Sequence, residues 1–190
     1  MPRIQGVRQR IHQFHWDSLV RGVGPQPTLT NNVRLFQTVN SSLAWTNMQT
    51  AGQLPSDQTA IIFGQRLNLY FRGTNAVSNY KWTSQQLVLN TVIGDKSHLK
   101  TLGWMLPAGG GIVGFDPGAA TLTNGVGASS ATQKLVKPII LPVRQNFAVQ
   151  CDFYELSTAV SALTQLQVGA VDDEKIIQVV LDTLLTRDVL

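Results

Sequence analysis

Cysteine, histidine and charge are all scarce in this 190-residue chain. The single cysteine, Cys151, excludes an intramolecular disulfide and every CxxC metal or redox motif. It sits on the apolar side of an alternating pattern, as a plain buried thiol would. Of three histidines, His12 and His15 have an i, i+3 spacing that suits a metal on a helix, but no recognised ligand pattern stands beside them. Charged residues make up only 14% of the chain against 43% hydrophobic ones. That balance describes a globule with an amide- and hydroxyl-rich surface, which can pack against another subunit with little charge to desolvate. No apolar run reaches the roughly 18 residues that cross a bilayer as a helix. The opening MPRIQGVRQRIHQFHW never develops the uninterrupted apolar core of a signal peptide.

Catalytic signatures are missing as well: there is no GxSxG, no HExxH and no GK[ST] phosphate loop. GGGIVG at 109–114 has the letters of a dinucleotide fingerprint without its context. Pro107 and Ala108 precede it in place of a buried strand, and Lys134 stands about where an acid should. Asp95, Lys96 and His98 flank a turn, where charges are ordinarily solvated. Asp172, Asp173 and Glu174 lack the pattern of a calcium loop. The expectation is a protein with no catalytic residue, cofactor or metal.

What the chain does contain is strand patterning. In KLVKPIILPVRQNFAVQCDFY, Lys134 to Tyr154, Phe147, Val149, Cys151 and Phe153 alternate with Ala148, Gln150 and Asp152, which gives a strand with one dry face. Pro138 and Pro142 place the preceding segment at a sheet edge or a bend. VRLFQTV, 33–39, reads as the first strand. In TAIIFGQRLNLYFRG, Leu67, Leu69 and Phe71 oppose Arg66, Asn68 and Tyr70, and Gly64 suggests a bulge. Residues 85–97 repeat the alternation through Leu87, Leu89, Thr91 and Ile93 and end in a Gly-Asp turn. The C-terminal IIQVVLDTLLTRDVL fits a helical stripe or a strand. Its β-branched content, and the need of the 146–154 strand for a partner, favour the strand. The fold class this predicts is all-β, an antiparallel β-sandwich of jelly-roll or related Greek-key type with an extended N-terminal arm. The arm is 1–32 and the sandwich 33–190, with a long Gly-rich loop at 99–132.

The net charge of +4 lies in the first 36 residues, which hold five arginines against Asp17, while the remainder balances, so a neutral globule carries a basic arm. The spacing of Ile4, Val7, Ile11 and Phe14 suits an amphipathic helix, broken by glycine and proline at both ends. Either the arm packs along its own domain, or it reaches a neighbour through Phe14 and Trp16 or packaged nucleic acid through Arg3, Arg8 and Arg10. In the Gly-rich loop, Trp104, Met105 and Phe115 are the candidate anchors for a subunit interface. A different reading takes Trp45, Tyr80, Trp82 and Trp104 as stacking platforms of a carbohydrate- or receptor-binding module.

Four phrases, TNMQTAGQLPSDQTAIIFGQRLNLYF, VIGDKSHLKTLGWMLPAGGGIVGF, KPIILPVRQNFAVQCDFYEL and VVLDTLLTRDVL, resemble virion structural proteins of bacteriophages. In those proteins a strand after LP-x-RQNF and a closing L-D-x-L-x-x-R-D-V recur; here Thr183 stands where glycine is expected. The resemblance spans 33–190. It implies a β-sandwich subunit of a phage particle, a capsid, minor capsid or cement protein, partnered by its own copies and other virion proteins. Its implied location is the virion, assembled in the host cytoplasm.

Overall fold

Strand length sorts the chain into two sheets. A computed structural model describes residues 7–21, 33–39, 43, 45–73, 76–107, 121–123, 134–153 and 174–189. Three strands are long: β1 (Val7–Arg21, 15 residues), β3 (Gln58–Arg72, 15) and β9 (Glu174–Val189, 16). They pair antiparallel in the order β1-β9-β3. The second edge of β3 is shared by β7 (Lys134–Leu141), which pairs with Ala60–Gly64, and β6 (Thr121–Thr123), which pairs with Tyr70–Arg72. The second sheet is short: β2 (Val33–Leu35), β8 (Phe147–Phe153), β4 (Leu87–Ile93) and β5 (Lys96–Leu102), antiparallel in that order. Among the described residues one α-helix, α1 (Ala76–Gln86), leads directly into β4.

Alternation puts the core between the sheets. Leu67, Leu69 and Phe71 of β3, with Ile177, Val179 and Leu181 of β9, face Leu87 and Leu89 of β4 and Phe147, Val149, Cys151 and Phe153 of β8. Within it a hydrogen bond crosses from Thr91 Oγ1 to Gln65 Oε1, 2.5 Å. Burial and the nearby Asp152 and Asp17 carboxylates push the Cys151 thiol up to about 12, so it is an inert core group. Gly64 does mark a bulge: the register shifts between Ile62 and Gly64, so that buried positions change from even (Ala60, Ile62) to odd (Gln65, Leu67, Leu69). The Pro-rich segment is an edge strand, and the corner at Pro142–Asn146 carries the chain from β7 in the long sheet to β8 in the short one.

Several expectations are revised. Residues 7–21 of the arm form no helix; they are β1, paired with β9 along its whole length. The strand expected over 33–39 stops at Leu35, because Phe36 has a positive φ of 67°. Asp17 holds that turn, accepting the Phe36 N–H at 2.5 Å and thereby tying β1 to the end of β2. Of residues 85–97, the first two end α1, and β4 begins at Leu87. Residues 174–189 are a strand, but β9 pairs with β1 and β3 and not with β8, since its 16 residues match their 15 and not the 7 of β8. The stretch expected as a loop from 99 opens with the end of β5 and a 3₁₀ turn, Gly103–Met105, docked through the Leu67 N–H on Leu106 O, 2.7 Å. Residues 108–120 and 124–133 lie outside the described part.

Candidate functional site

The described strands of the long sheet turn one face to the core, yet the other face also holds a group of apolar side chains. One row of cross-strand partners runs across four strands: His12 on β1, Leu184 on β9, Ile61 on β3 and Ile140 on β7. Beside it lie Phe14, Asp182 and the bulge residue Phe63, and then Trp16, Val180 and Arg66. Phe14 (39%), Phe63 (38%) and Ile140 (65%) are exposed, as is Val136 further along β7. Large apolar groups grouped on the wet side of an antiparallel sheet depart from the polar exterior usual there.

At the centre of this face a cation and a carboxylate are paired. Arg66 donates to Asp182 through both Nε (2.9 Å to Oδ2) and Nη2 (2.6 Å to Oδ1). Such a bidentate pair fixes both side chains. The guanidinium carbon lies 5.2 Å from the centre of the Phe14 ring, and His12 meets the same ring edge-on at 4.9 Å. Phe14 is therefore held in place by a cation and an imidazole, pre-arranged as an anchor with little side-chain freedom left to lose.

Trp16 has a different task. Its indole N–H donates to Leu43 O at 3.0 Å, and its backbone exchanges hydrogen bonds with Asn47: N–H to Oδ1 at 2.9 Å, and Asn47 N–H to Trp16 O at 3.2 Å. Asn47 Nδ2 also donates to Phe14 O, 2.7 Å. One asparagine thus occupies the open edge of β1 at this point, as a neighbouring strand would. On the core side of β1, His15 Nδ1 donates to Thr183 Oγ1 (2.9 Å), which donates to Gln13 O (2.5 Å). The threonine in the closing phrase gives this imidazole a partner that glycine could not. Burial lowers the His15 pKa from its ordinary value. Asp17 is shifted upward by burial, against hydrogen bonds from the Phe36 and Ser18 N–H groups and from Thr46.

The remaining candidates scatter. Arg8 and Arg10 are exposed on the same face as Phe14, whereas Arg3 and Phe115 lie outside the described residues. Trp104 and Met105 are exposed side by side on the 3₁₀ turn. Of the stacking set, Tyr80 is half-buried with its ring edge-on to Phe71, Trp45 is half-buried in the segment beside β1, and the side chain of Trp82 is outside the description. Among the described residues, no three of His, Cys, Asp and Glu cluster as metal ligands, and no helix is long and apolar enough to cross a membrane. The Arg66–Asp182 pair, 116 residues apart, and the Asn47 plug carried no local sequence signal. Comparison of the chain with models of known protein families and with curated proteins gives no match.

Proposed function

We propose that this protein is a structural subunit of a virus particle, of the capsid, minor capsid or cement kind, which assembles through contacts between its own copies and performs no catalysis. The observation that carries this is the outer face of the long sheet, where anchored Phe14, Phe63 and Ile140 are exposed around a pair of charges that cancel. At the centre of the patch the charges of Arg66 and Asp182 cancel, so that part of the face can meet a second copy without like-charge repulsion. Strand order supports the same reading. With the three-residue β6 set aside, the sheets run first-eighth-third-sixth and second-seventh-fourth-fifth, an order that supports a jelly-roll reading, and jelly rolls are shared by viral capsid and lectin domains. Fold alone does not assign function, so the exposed face is the stronger support.

Sedimentation velocity of the purified full chain is the test. Concentration-dependent species well above the 20.8 kDa monomer are expected. A monomer at every concentration would overturn the proposal. Contact with packaged nucleic acid belongs to Arg8 and Arg10, which extend the same face. Deleting residues 1–32 would strip an edge strand from the long sheet, so the clean variant is Arg8→Gln with Arg10→Gln. It should lower the salt slope of DNA retention by roughly two, and an unchanged slope would leave these arginines to protein contacts.

A further inference from the structure

The outer face of the short sheet contains a cavity of about 490 Å³ that the assembly reading does not use. That volume falls in the ~300–1,000 Å³ range of small-molecule sites. Its floor is the cross-strand pair Val92 and Ala148. Its walls are side chains aligned by the register: Arg34 opposite Gln150, Gln150 opposite Asn90, and Ser97 from β5. These are already coupled. Ser97 Oγ donates to Asn90 Oδ1 at 2.5 Å, and Asn90 Nδ2 donates to Gln150 Oε1 at 3.1 Å. All the donors in this relay point one way, so it ends on the Gln150 amide nitrogen beside the Arg34 guanidinium, a donor-rich wall. The opposite wall, with the Ser97 oxygen and the Asp95 carboxylate, is rich in acceptors.

We infer that this trough binds a neutral saccharide. Sugar hydroxyls both accept and donate, which matches a donor wall facing an acceptor wall, and the small apolar floor suits the C–H face of a ring. Arg34 and Asp95 on opposite sides disfavour a net anion or cation, and a polar lining disfavours an apolar guest. The site lies apart from the Trp and Tyr residues that stacking would require.

The probes are agarose resins bearing glucose, galactose, mannose and N-acetylglucosamine, run with the full chain and eluted by the free sugar or by inorganic phosphate. Retention on at least one resin is expected, released by its sugar and not by phosphate. Asn90→Leu and Gln150→Leu should each weaken it about tenfold, and Trp104→Ala should leave it unchanged. Thermal melts monitored by circular dichroism establish that each variant is folded, and Arg34→Ala on the short edge strand serves should either leucine variant fail. Retention on none of the resins, retention that survives these variants, dependence on Trp104, or release by phosphate would each overturn the inference. None of these outcomes bears on sedimentation, so the site and the assembly reading stand or fall separately.

Discussion

The two outer faces of this sandwich are both built from antiparallel strands and look quite different. Across the short sheet runs a polar row, Arg34, Gln150, Asn90 and Lys100; across the long sheet runs His12, Leu184, Ile61 and Ile140. Both sheets already contribute an inner face to the shared core, so the apolar row on the outer side is additional to it. Its presence on one side only points to a partner there. The edges differ in the same sense. β5 is guarded by Lys96 and Lys100 and kinked by a bulge at His98, and β2 has three residues, whereas β1 presents fifteen, with Asn47 plugging its middle.

The largest expected effect is on assembly. Phe14→Lys or Ile140→Lys should weaken self-association more than tenfold, equivalent to about 2 kcal/mol for an anchor residue, with the fold intact. Lys100→Glu on the other face should change nothing. Sedimentation equilibrium measures both, and equal effects from the two faces would erase the distinction. Next is the charge pair: Asp182→Ala strands Arg66 and should cost about 2–3 kcal/mol in urea denaturation. Lys100→Ala should stay within about 0.5 kcal/mol.

A smaller effect depends on pH. His15 is neutral in the folded chain with a lowered pKa, so below the unfolded value of about 6.5 the unfolded state binds more protons. Its stabilising contribution is complete above that pH and declines as pH falls, by at most about 1.4 kcal/mol per pH unit. Asp17, shifted upward, acts oppositely in acid, because its protonation in the folded state offsets part of the loss. Denaturation across pH 4–8 should therefore show a shallower slope in His15→Gln than in the parent. The smallest response belongs to Cys151: with its thiol at about 12 and fully enclosed, iodoacetamide should label it only as fast as the chain unfolds. Fast labelling of native protein would contradict the packing of both sheets.

This asymmetry also decides what could be read from sequence. β8 was legible because it is apolar on one side only, and so was the latter half of β3, with Gly64 announcing its bulge. β1 and β9 were not. Phe14 and Trp16 project from one face of β1, Ile11 and Leu19 from the other, and their sum mimics a helical spacing. β9 sets Val180 and Leu184 outward against Val179, Leu181 and Leu185 inward, which erases the period of two. The ambiguity comes from apolar residues on both faces of the strand. α1 escaped notice for another reason: AVSNYKWTSQQ has almost no apolar stripe and no charge at either end to announce it. The candidate anchors were only partly legible, since Phe14 stood out as an aromatic, whereas Phe63 and Ile140 join it only through pairings made across the whole chain.

Hydroxyl-radical footprinting of the assembled protein against the dissociated chain addresses the central claim most directly. The account predicts protection of Phe14, Phe63 and Ile140 on assembly, with Lys100 and its neighbours on the short sheet labelled equally in both states. Unchanged labelling of those three residues, in particles that have demonstrably formed, would contradict it.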